Sequence, residues 1–332
     1  MTRSILPPLR ESYPSHITKL FCRYYTTVRR RRHPASGGDS WYTVAVDEET
    51  TFWREPKLDD LELLRARFVT HSFAPHAHDT FAIGVIEEGA ESFRYRGAEH
   101  VAPAGSVVLI NPGEIHTGQA AVAGGWTYRM LYPTAAIVQQ AAAQVAGRPQ
   151  PIPFFGEPVV QDAMVAGLLR GLHRTLEHSA DPLLRESLFL TAMAQLVVRH
   201  ADAPPPVAAP RRARASVASA RRFLDQHHAE QPSLEQLAQH VGLSPFHLLR
   251  IFRQEVGITP HAYLTNVRVL HARQLLAAGI KPADVALRTG FADQSHLTRT
   301  FKRVVGVPPG QYARDRKILQ DARGTLPLYS DE

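Results

Sequence analysis

At 332 residues the chain is longer than one compact core usually supports, so we expect two domains. One cysteine, Cys22, excludes an intrachain disulfide and suggests a reducing compartment, while the lack of a long apolar run or a secretory signal excludes a membrane protein. The net charge of +7 is concentrated in residues 231–320, which carry 12 Lys and Arg against 5 Asp and Glu, so we expect a polyanion to bind there.

The first segment, residues 1–47, has no sustained periodicity and contains the basic run Arg29-Arg30-Arg31-Arg32. We predict a mostly disordered extension. An arm that contacts DNA or a protein partner is the alternative.

Residues 48–200 form the first predicted domain. In its first part, short runs rich in β-branched and aromatic residues alternate with turn residues such as Glu88-Gly89. The predicted strands are Phe81–Ile86, Ser92–Tyr95, Val107–Ile110 and Trp126–Tyr132. Several short strands at close spacing predict an antiparallel sandwich or barrel.

The second part of this domain, residues 134–200, is predicted to be helical. Apolar residues recur at spacings of three and four, and Asp181-Pro182 is suited to begin a second helix. Two amphipathic helices joined by a short turn form an antiparallel hairpin. The hairpin is predicted to cover the barrel core, and residues 157–200 could also form the seam of a homodimer.

Residues 201–216 are rich in Pro, Ala and Arg and are predicted to be a semi-rigid linker. Residues 217–320 form the second predicted domain, and residues 321–332 a tail. This second domain contains an internal repeat. The pattern His-Leu-x-Arg-x-Phe occurs at residues 247–252 and again at 296–301, an offset of 49 residues. A self-match of this kind predicts a duplicated supersecondary unit.

Each copy has the outline of a helix-turn-helix. A first helix runs into a glycine, Gly242 or Gly290, which permits the positive φ of a sharp turn. A second helix is predicted to begin at Ser244 or Asp293, because both residue types cap helices well. Two helix-turn-helix units are therefore predicted, joined by a long helix over residues 260–278.

The spacing of apolar residues predicts which side of each second helix faces the core. The residues predicted to face inward are Leu248, Ile251, Phe252, Leu297, Phe301 and Val304. Those predicted to face outward are Phe246, Leu249, Arg250, Arg253, Gln294, Ser295, Thr298, Arg299 and Lys302. One such helix would be read as an ordinary surface helix, but two in a basic domain favour contact with the major groove of DNA.

Residues 231–317 resemble the DNA-binding domain of the AraC/XylS family of bacterial transcription regulators. The resemblance is sharpest in residues 286–312, where Gly-Phe-x-x-x-Ser-His-Leu-x-Arg-x-Phe-Lys is followed by Gly-Val-x-Pro and Tyr. It implies base readout by the second helix of each unit, which adds His296 as a base-contact candidate and His247 as a backbone-contact candidate. It also implies a cytoplasmic, nucleoid-associated protein.

Within the predicted barrel, His76-Ala77-His78 and Pro112-Gly113-Glu114-Ile115-His116 resemble the two cupin motifs. Metal-binding cupins usually add a carboxylate four or five residues beyond the second histidine, where this chain has residues 80–83, Thr-Phe-Ala-Ile. We therefore predict a barrel without metal or cofactor, in which His76, His78 and His116 cap the mouth or contact an organic effector.

Strand alternation separates Trp126 and Tyr128 from Arg129, and either set could line the lumen. Both sets are therefore candidates for effector binding.

The expected architecture is α+β and multidomain: an N-terminal antiparallel cupin-like β-barrel with a helical hairpin, then an all-α domain with two helix-turn-helix units. The expected function is transcription regulation, without enzymatic activity, through double-stranded DNA and a small-molecule effector. A second copy of the chain, and RNA polymerase if the protein is an activator, are the other expected partners. A cupin enzyme with an appended nucleic-acid module and a constitutive architectural DNA binder are the alternatives.

Overall fold

The computed structural model describes residues 48–207 and 214–314, and it confirms the predicted α+β organisation. Predictions for residues 1–47 and for the C-terminal tail lie outside these ranges. The strands are β1 (Glu49–Glu55), β2 (Leu61–Phe68), β3 (Ser72–His76), β4 (Ala82–Tyr95), β5 (Ala98–Pro103), β6 (Val107–Ile110), β7 (His116–Ala120), β8 (Trp126–Tyr132) and β9 (Val159–Val160). The helices are α1 (Ala135–Ala146), α2 (Ala163–His178), α3 (Pro182–His200), α4 (Arg214–Gln226), α5 (Leu234–His240), α6 (Pro245–Val256), α7 (Pro260–Ala277), α8 (Pro282–Arg288), α9 (Gln294–Val305) and α10 (Pro309–Arg314).

The strands are antiparallel and form two faces of a barrel-like fold. One face has the order β1-β2-β8-β4-β6-β9, and the other joins β3 to β7 and both β5 and β7 to β4. The long strand β4 belongs to both faces, since its first half pairs with β6 and β8 and its second half with β5 and β7.

The strand break predicted at Glu88-Gly89 is wrong. β4 continues through these residues with a register shift after Ile86. Gly89 has φ 69°, and a Cβ there would lie 1.9 Å from the carbonyl oxygen of Gly125. The glycine therefore redirects the strand from one face to the other at a close backbone contact, and it does not end the strand.

Alternation along the strands produces two cores. Leu63, Ile83 and Leu131 face outward and pack beneath α1, α2 and α3. Residues of opposite parity, including Ile86 and Tyr128, face inward to an aromatic-rich interior. The predicted helical hairpin that covers the sheet is confirmed, and α3 begins where Asp181 accepts a hydrogen bond from the backbone N–H of Leu184 at 3.0 Å.

The helical domain contains the two predicted helix-turn-helix units, α5–α6 and α8–α9, joined by α7. Gly242 and Gly290 occupy the turns with φ of 66° and 76°, as the predicted sharp turns require. Helix α4 begins at Arg214, so it includes the last three residues of the predicted linker, 214–216. Within the described ranges, no helix combines the length and apolar character needed to cross a bilayer.

Candidate nucleic-acid interface and sensor cavity

Helix α9 is the second helix of the second unit, and its core contacts fix the direction of its polar face. Asp293 caps its N-terminus by accepting from the backbone N–H of His296 at 2.6 Å. Leu297 and Phe301 are fully buried, as predicted. The predicted inward position of Val304 is wrong because it is 45% exposed, while Val305, four residues after Phe301, packs against the core in the last turn.

The opposite side of α9 presents a continuous polar surface. Gln294, Ser295, Arg299 and Lys302 are exposed on it. Two other candidates, both half-buried, lie at its edge. The hydroxyl of Thr298 donates to the carbonyl oxygen of Gln294 at 2.8 Å. The ring of His296 contacts the ring of Phe291. Arg303 is also exposed on this helix. It is not among the predicted contact residues, although its spacing on the helix places it outward. The surface combines amide, hydroxyl and guanidinium groups suited to base edges and phosphate.

Helix α6, the second helix of the first unit, has a smaller free surface. Leu248, Ile251 and Phe252 are buried as predicted. The prediction that Leu249 faces outward is wrong, since it is 8% exposed and belongs to an apolar cluster that includes Leu183 from α3. Helix α3 belongs to residues 48–200, termed the sensor domain because its barrel is predicted to contact an effector. This cluster combines residues of the helical domain with residues from a distant segment of the chain, and the helix pattern alone carries no sign of that segment.

The remaining candidates on α6 differ in exposure. Arg253 is exposed, and Phe246, His247 and Arg250 are half-buried. His247 lines a groove between this helix and α1 of the sensor domain. Phe246 and His247, at the start of α6, therefore lie next to the sensor domain.

Two sensor side chains bond to helix N-termini in the first unit. Gln144 of α1 accepts from the backbone N–H of Phe246 at 3.1 Å. Glu186 of α3 accepts from the N–H groups of Leu234 and Glu235 at 2.8 and 3.3 Å. Helix N-termini carry unsatisfied donors and partial positive charge, so these contacts stabilise the docked arrangement of the domains.

A buried ion pair lies at the centre of the domain contact. Arg268 of α7 is 2% exposed, donates to the carbonyl oxygens of His228 and Glu230 at 2.8 and 2.6 Å, and reaches Asp181 at 3.4 Å. Burial opposes ionisation of Asp181, but the hydrogen bond and charge of His261, together with Arg268, hold its pKa at about 2. Asp181 therefore both caps α3 and links the sensor domain to α7.

The sensor domain contains a small cavity between its two strand faces. Its lining includes the predicted residues His76, His78, His116 and Tyr128, together with Glu91. The cavity volume is about 40 Å³. Organic-ligand pockets usually measure roughly 300 to 1,000 Å³, so the cavity is far smaller than a pocket for a sugar or a drug-sized molecule.

Burial controls the protonation of the cavity residues. Burial, and then repulsion from the other two histidines, lower the pKa of His78 to about 3. Burial also lowers the pKa of His116 to about 4, although its hydrogen bond to the carbonyl of Glu114 opposes the shift. Burial raises the pKa of the Glu91 carboxyl to about 8. Near neutral pH, His78 and His116 are therefore neutral and carry free lone pairs for hydrogen bonds or coordination.

Sequence reasoning missed Glu91. Its side chain enters the barrel beside Gly118, where a Cβ would lie 2.8 Å from Oε1 of Glu91. The signal was present, since Glu91 has the same strand parity as Phe93 and Tyr95, which both face inward. The predicted strand break at Glu88-Gly89 obscured this alternation.

The other two barrel candidates are not brought to the cavity wall. Trp126 is buried in the interior cluster. Arg129 projects from the opposite side of β8, where it donates to Glu87 and Glu177, each at 2.8 Å, and lies 3.0 Å from Nδ1 of His173. This buried network ties β8 to α2.

Comparison with known proteins gives two family matches. The family described as AraC-like ligand binding domain matches residues 60–193. The family described as helix-turn-helix domain matches residues 237–315. The first match covers most of the strand domain with its helices, and the second covers both helix-turn-helix units.

Full-length relatives are also similar. The chain is 31% identical over 251 residues to the uncharacterized HTH-type transcriptional regulator YbfI of Bacillus subtilis (strain 168), over 76% of this chain and 90% of the relative. It is 30% identical over 248 residues to the arabinose operon regulatory protein of Salmonella typhimurium, over 69% of this chain and 79% of that protein. Among solved structures, the DNA-binding domain of AdpA, in complex with a target DNA, is 29% identical, with coverage of 32% and 96% and a TM-score of 0.30.

Proposed function

Because the chain belongs to the AraC family of DNA-binding transcriptional regulators, which are not enzymes, we propose that it binds specific DNA sequences under the control of a small ligand in its sensor domain. The observation that carries this proposal is the exposed polar face of α9, whose opposite side packs into the apolar core of the second unit.

On α9 we propose a division between base and phosphate contacts. Gln294, Ser295 and Arg299 lie in the first half of the helix, the part that enters the major groove most deeply in helix-turn-helix proteins. An arginine in that position is suited to bidentate bonds with guanine. Lys302 lies in the following turn and is suited to a phosphate. His296 and Thr298 border the same face and are proposed as supporting contacts.

On α6 we propose fewer direct base contacts. Arg250 and Arg253 are its cationic candidates, while Phe246 and His247 are half-buried at the end nearest the sensor domain. With Leu249 buried, the first unit is proposed to contribute phosphate contacts and recognition of DNA shape.

Control by ligand is proposed to pass through the domain contact. The bonds from Gln144 and Glu186 join the sensor domain to the first helix-turn-helix unit. A ligand that shifts α1 or α3 changes these bonds, and it therefore changes the freedom of α6 to enter DNA. Homodimerisation through residues 157–200, and RNA polymerase as a partner if the protein activates transcription, stay predictions.

The experiment is selection of binding sites from randomised DNA with the full chain, followed by affinity measurements on all single-base variants of the selected site. Arg299→Ala is expected to weaken binding by about 1 to 3 kcal/mol and to relax preference at one base position. Lys302→Ala on the same helix is the matched control. It is expected to weaken binding to all sequences equally. It is also expected to reduce the slope of log affinity against log salt concentration by about 1. Equal loss on every sequence with Arg299→Ala would contradict base readout by this residue.

A further inference from the structure

The three sensor histidines are brought together by the sheet. His76 ends β3 and pairs in register with His116, which begins β7, and His78 follows two residues later. One ring nitrogen from each histidine lies within 4.8 Å of the other two. Three imidazoles from two paired strands and an adjoining loop therefore converge on one point.

Two of the three rings are oriented for coordination. Nδ1 of His76 lies 2.8 Å from the carbonyl oxygen of Ala74, and Nδ1 of His116 lies 3.1 Å from that of Glu114. Donation from Nδ1 to a carbonyl places the lone pair on Nε2. This second hydrogen bond is the arrangement that metal-ligating histidines almost always have.

The size of the cavity favours an ion over an organic molecule. About 40 Å³ accommodates a metal ion with one or two small ligands. Tetrahedral zinc with bonds of roughly 2.0 to 2.1 Å holds its nitrogen ligands about 3.3 Å apart. The ring nitrogens lie within 4.8 Å of one another, so each pair needs to approach by at most about 1.5 Å to bind zinc.

The carboxylate missing from the sequence motif is not required for such a site. Three histidines with an open fourth position are a sufficient protein ligand set for zinc. Glu91 lines the same cavity and lies outside the group of converging histidine nitrogens. It is therefore a neighbour of the proposed site and is not one of the proposed ligands.

We infer that His76, His78 and His116 bind one divalent transition-metal ion of the Zn²⁺ class through their ring nitrogens. Imidazole ligands suit Zn²⁺ and its neighbours in the first transition row. The sequence predicts a barrel without metal, and this proposal departs from that prediction. The inference specifies a metal ion as the ligand of the proposed sensor cavity. Only the regulatory role of that ion rests on the proposed function.

The test uses the full-length chain without a polyhistidine tag and with no DNA present. Zn²⁺ binding is measured by equilibrium dialysis with elemental analysis, and Co²⁺ is added separately to record visible ligand-field absorption. We expect one Zn²⁺ per wild-type chain at micromolar concentration, and a Co²⁺ spectrum of four-coordinate geometry that Zn²⁺ abolishes.

Two matched substitutions locate the site. His78→Gln is expected to weaken Zn²⁺ binding at least about 100-fold, since even outer-shell changes cost 10 to 100-fold. His178→Gln removes an exposed histidine from α2 of the same domain, and it is expected to retain wild-type binding. Equal binding by the His78→Gln variant and the wild type would overturn the inference.

Wild-type chain that binds less than one Zn²⁺ at micromolar concentration would also overturn the inference, whatever the folding of the variants. Affinity for the selected DNA, measured separately, distinguishes this failure from failure of the proposed function. Intact DNA binding without Zn²⁺ binding contradicts the metal site alone.

Discussion

Replacement of Arg268 with alanine tests the ion pair at the domain contact. The substitution leaves the Asp181 carboxylate buried and removes the donors of the His228 and Glu230 carbonyls. Removal of one partner from a buried ion pair costs about 3 to 5 kcal/mol when the remaining charge is left unpaired. His261 stays 3.6 Å from Asp181 after the substitution, so the loss is expected at the lower end of this range. For a chain of this size, that loss lowers the thermal midpoint by on the order of 10 °C.

The assay is thermal unfolding followed by circular dichroism at pH 7, with Arg273→Ala as the control. Arg273 lies on the same helix but is half-exposed, and it donates to the hydroxyl of Tyr312 at 3.2 Å. Loss of that bond is expected to cost about 1 kcal/mol. If Arg268→Ala lowered the midpoint no more than Arg273→Ala, the buried pair would not be a main source of stability.

Two further outcomes are expected. The folded pKa of Asp181, about 2, lies below the unfolded value of about 3.9, so its contribution of roughly 2 to 3 kcal/mol is complete above about pH 5 and is lost as the pH falls toward 2. Unfolding measured between pH 2 and 7 should therefore be less acid-sensitive for Asp181→Asn than for the wild type, and equal sensitivity would refute this assignment. Gln144→Ala removes the sensor bond at the start of α6. Its loss, worth about 1 kcal/mol, should raise affinity for the selected DNA about fivefold, and unchanged or weaker affinity would show that the bond does not restrain the helix.

The local structure of the helical domain could be predicted because its signals are local. Ser244 and Asp293 cap the second helices, and Gly242 and Gly290 form the turns, as their residue types indicate. A cap bonds within three residues and a turn glycine acts through its own φ, so neither depends on distant parts of the chain.

Three residues that the sequence misplaced or missed take their environment from distant segments. Leu249 fits an outward helix position, but the cluster that buries it includes residues of α3. Arg268 fits a basic surface helix, but its partners lie on the α4–α5 connection and at the start of α3. Glu91 enters the barrel because β4 crosses between two faces. The contacts of Leu249 and Arg268 leave no periodic signal in the neighbouring sequence, whereas the inward position of Glu91 follows from its parity with Phe93 and Tyr95 once β4 is taken as one continuous strand.

Helix α3 explains why the two helix-turn-helix units differ. Residues in its second half, including Met193 and Leu196, belong to the sensor core, while Leu183 and Leu190 in its first half belong to the core of the first unit. Within the described residues, the core of the second unit contains no sensor side chain. A displacement of α3 therefore acts directly on the core that supports α6, and it reaches the core that supports α9 through α7, which contributes Leu264 to the first core and Val269 to the second. This arrangement supports the proposals that regulation acts on the unit with the smaller free surface and that the polar face of α9 reads the DNA sequence.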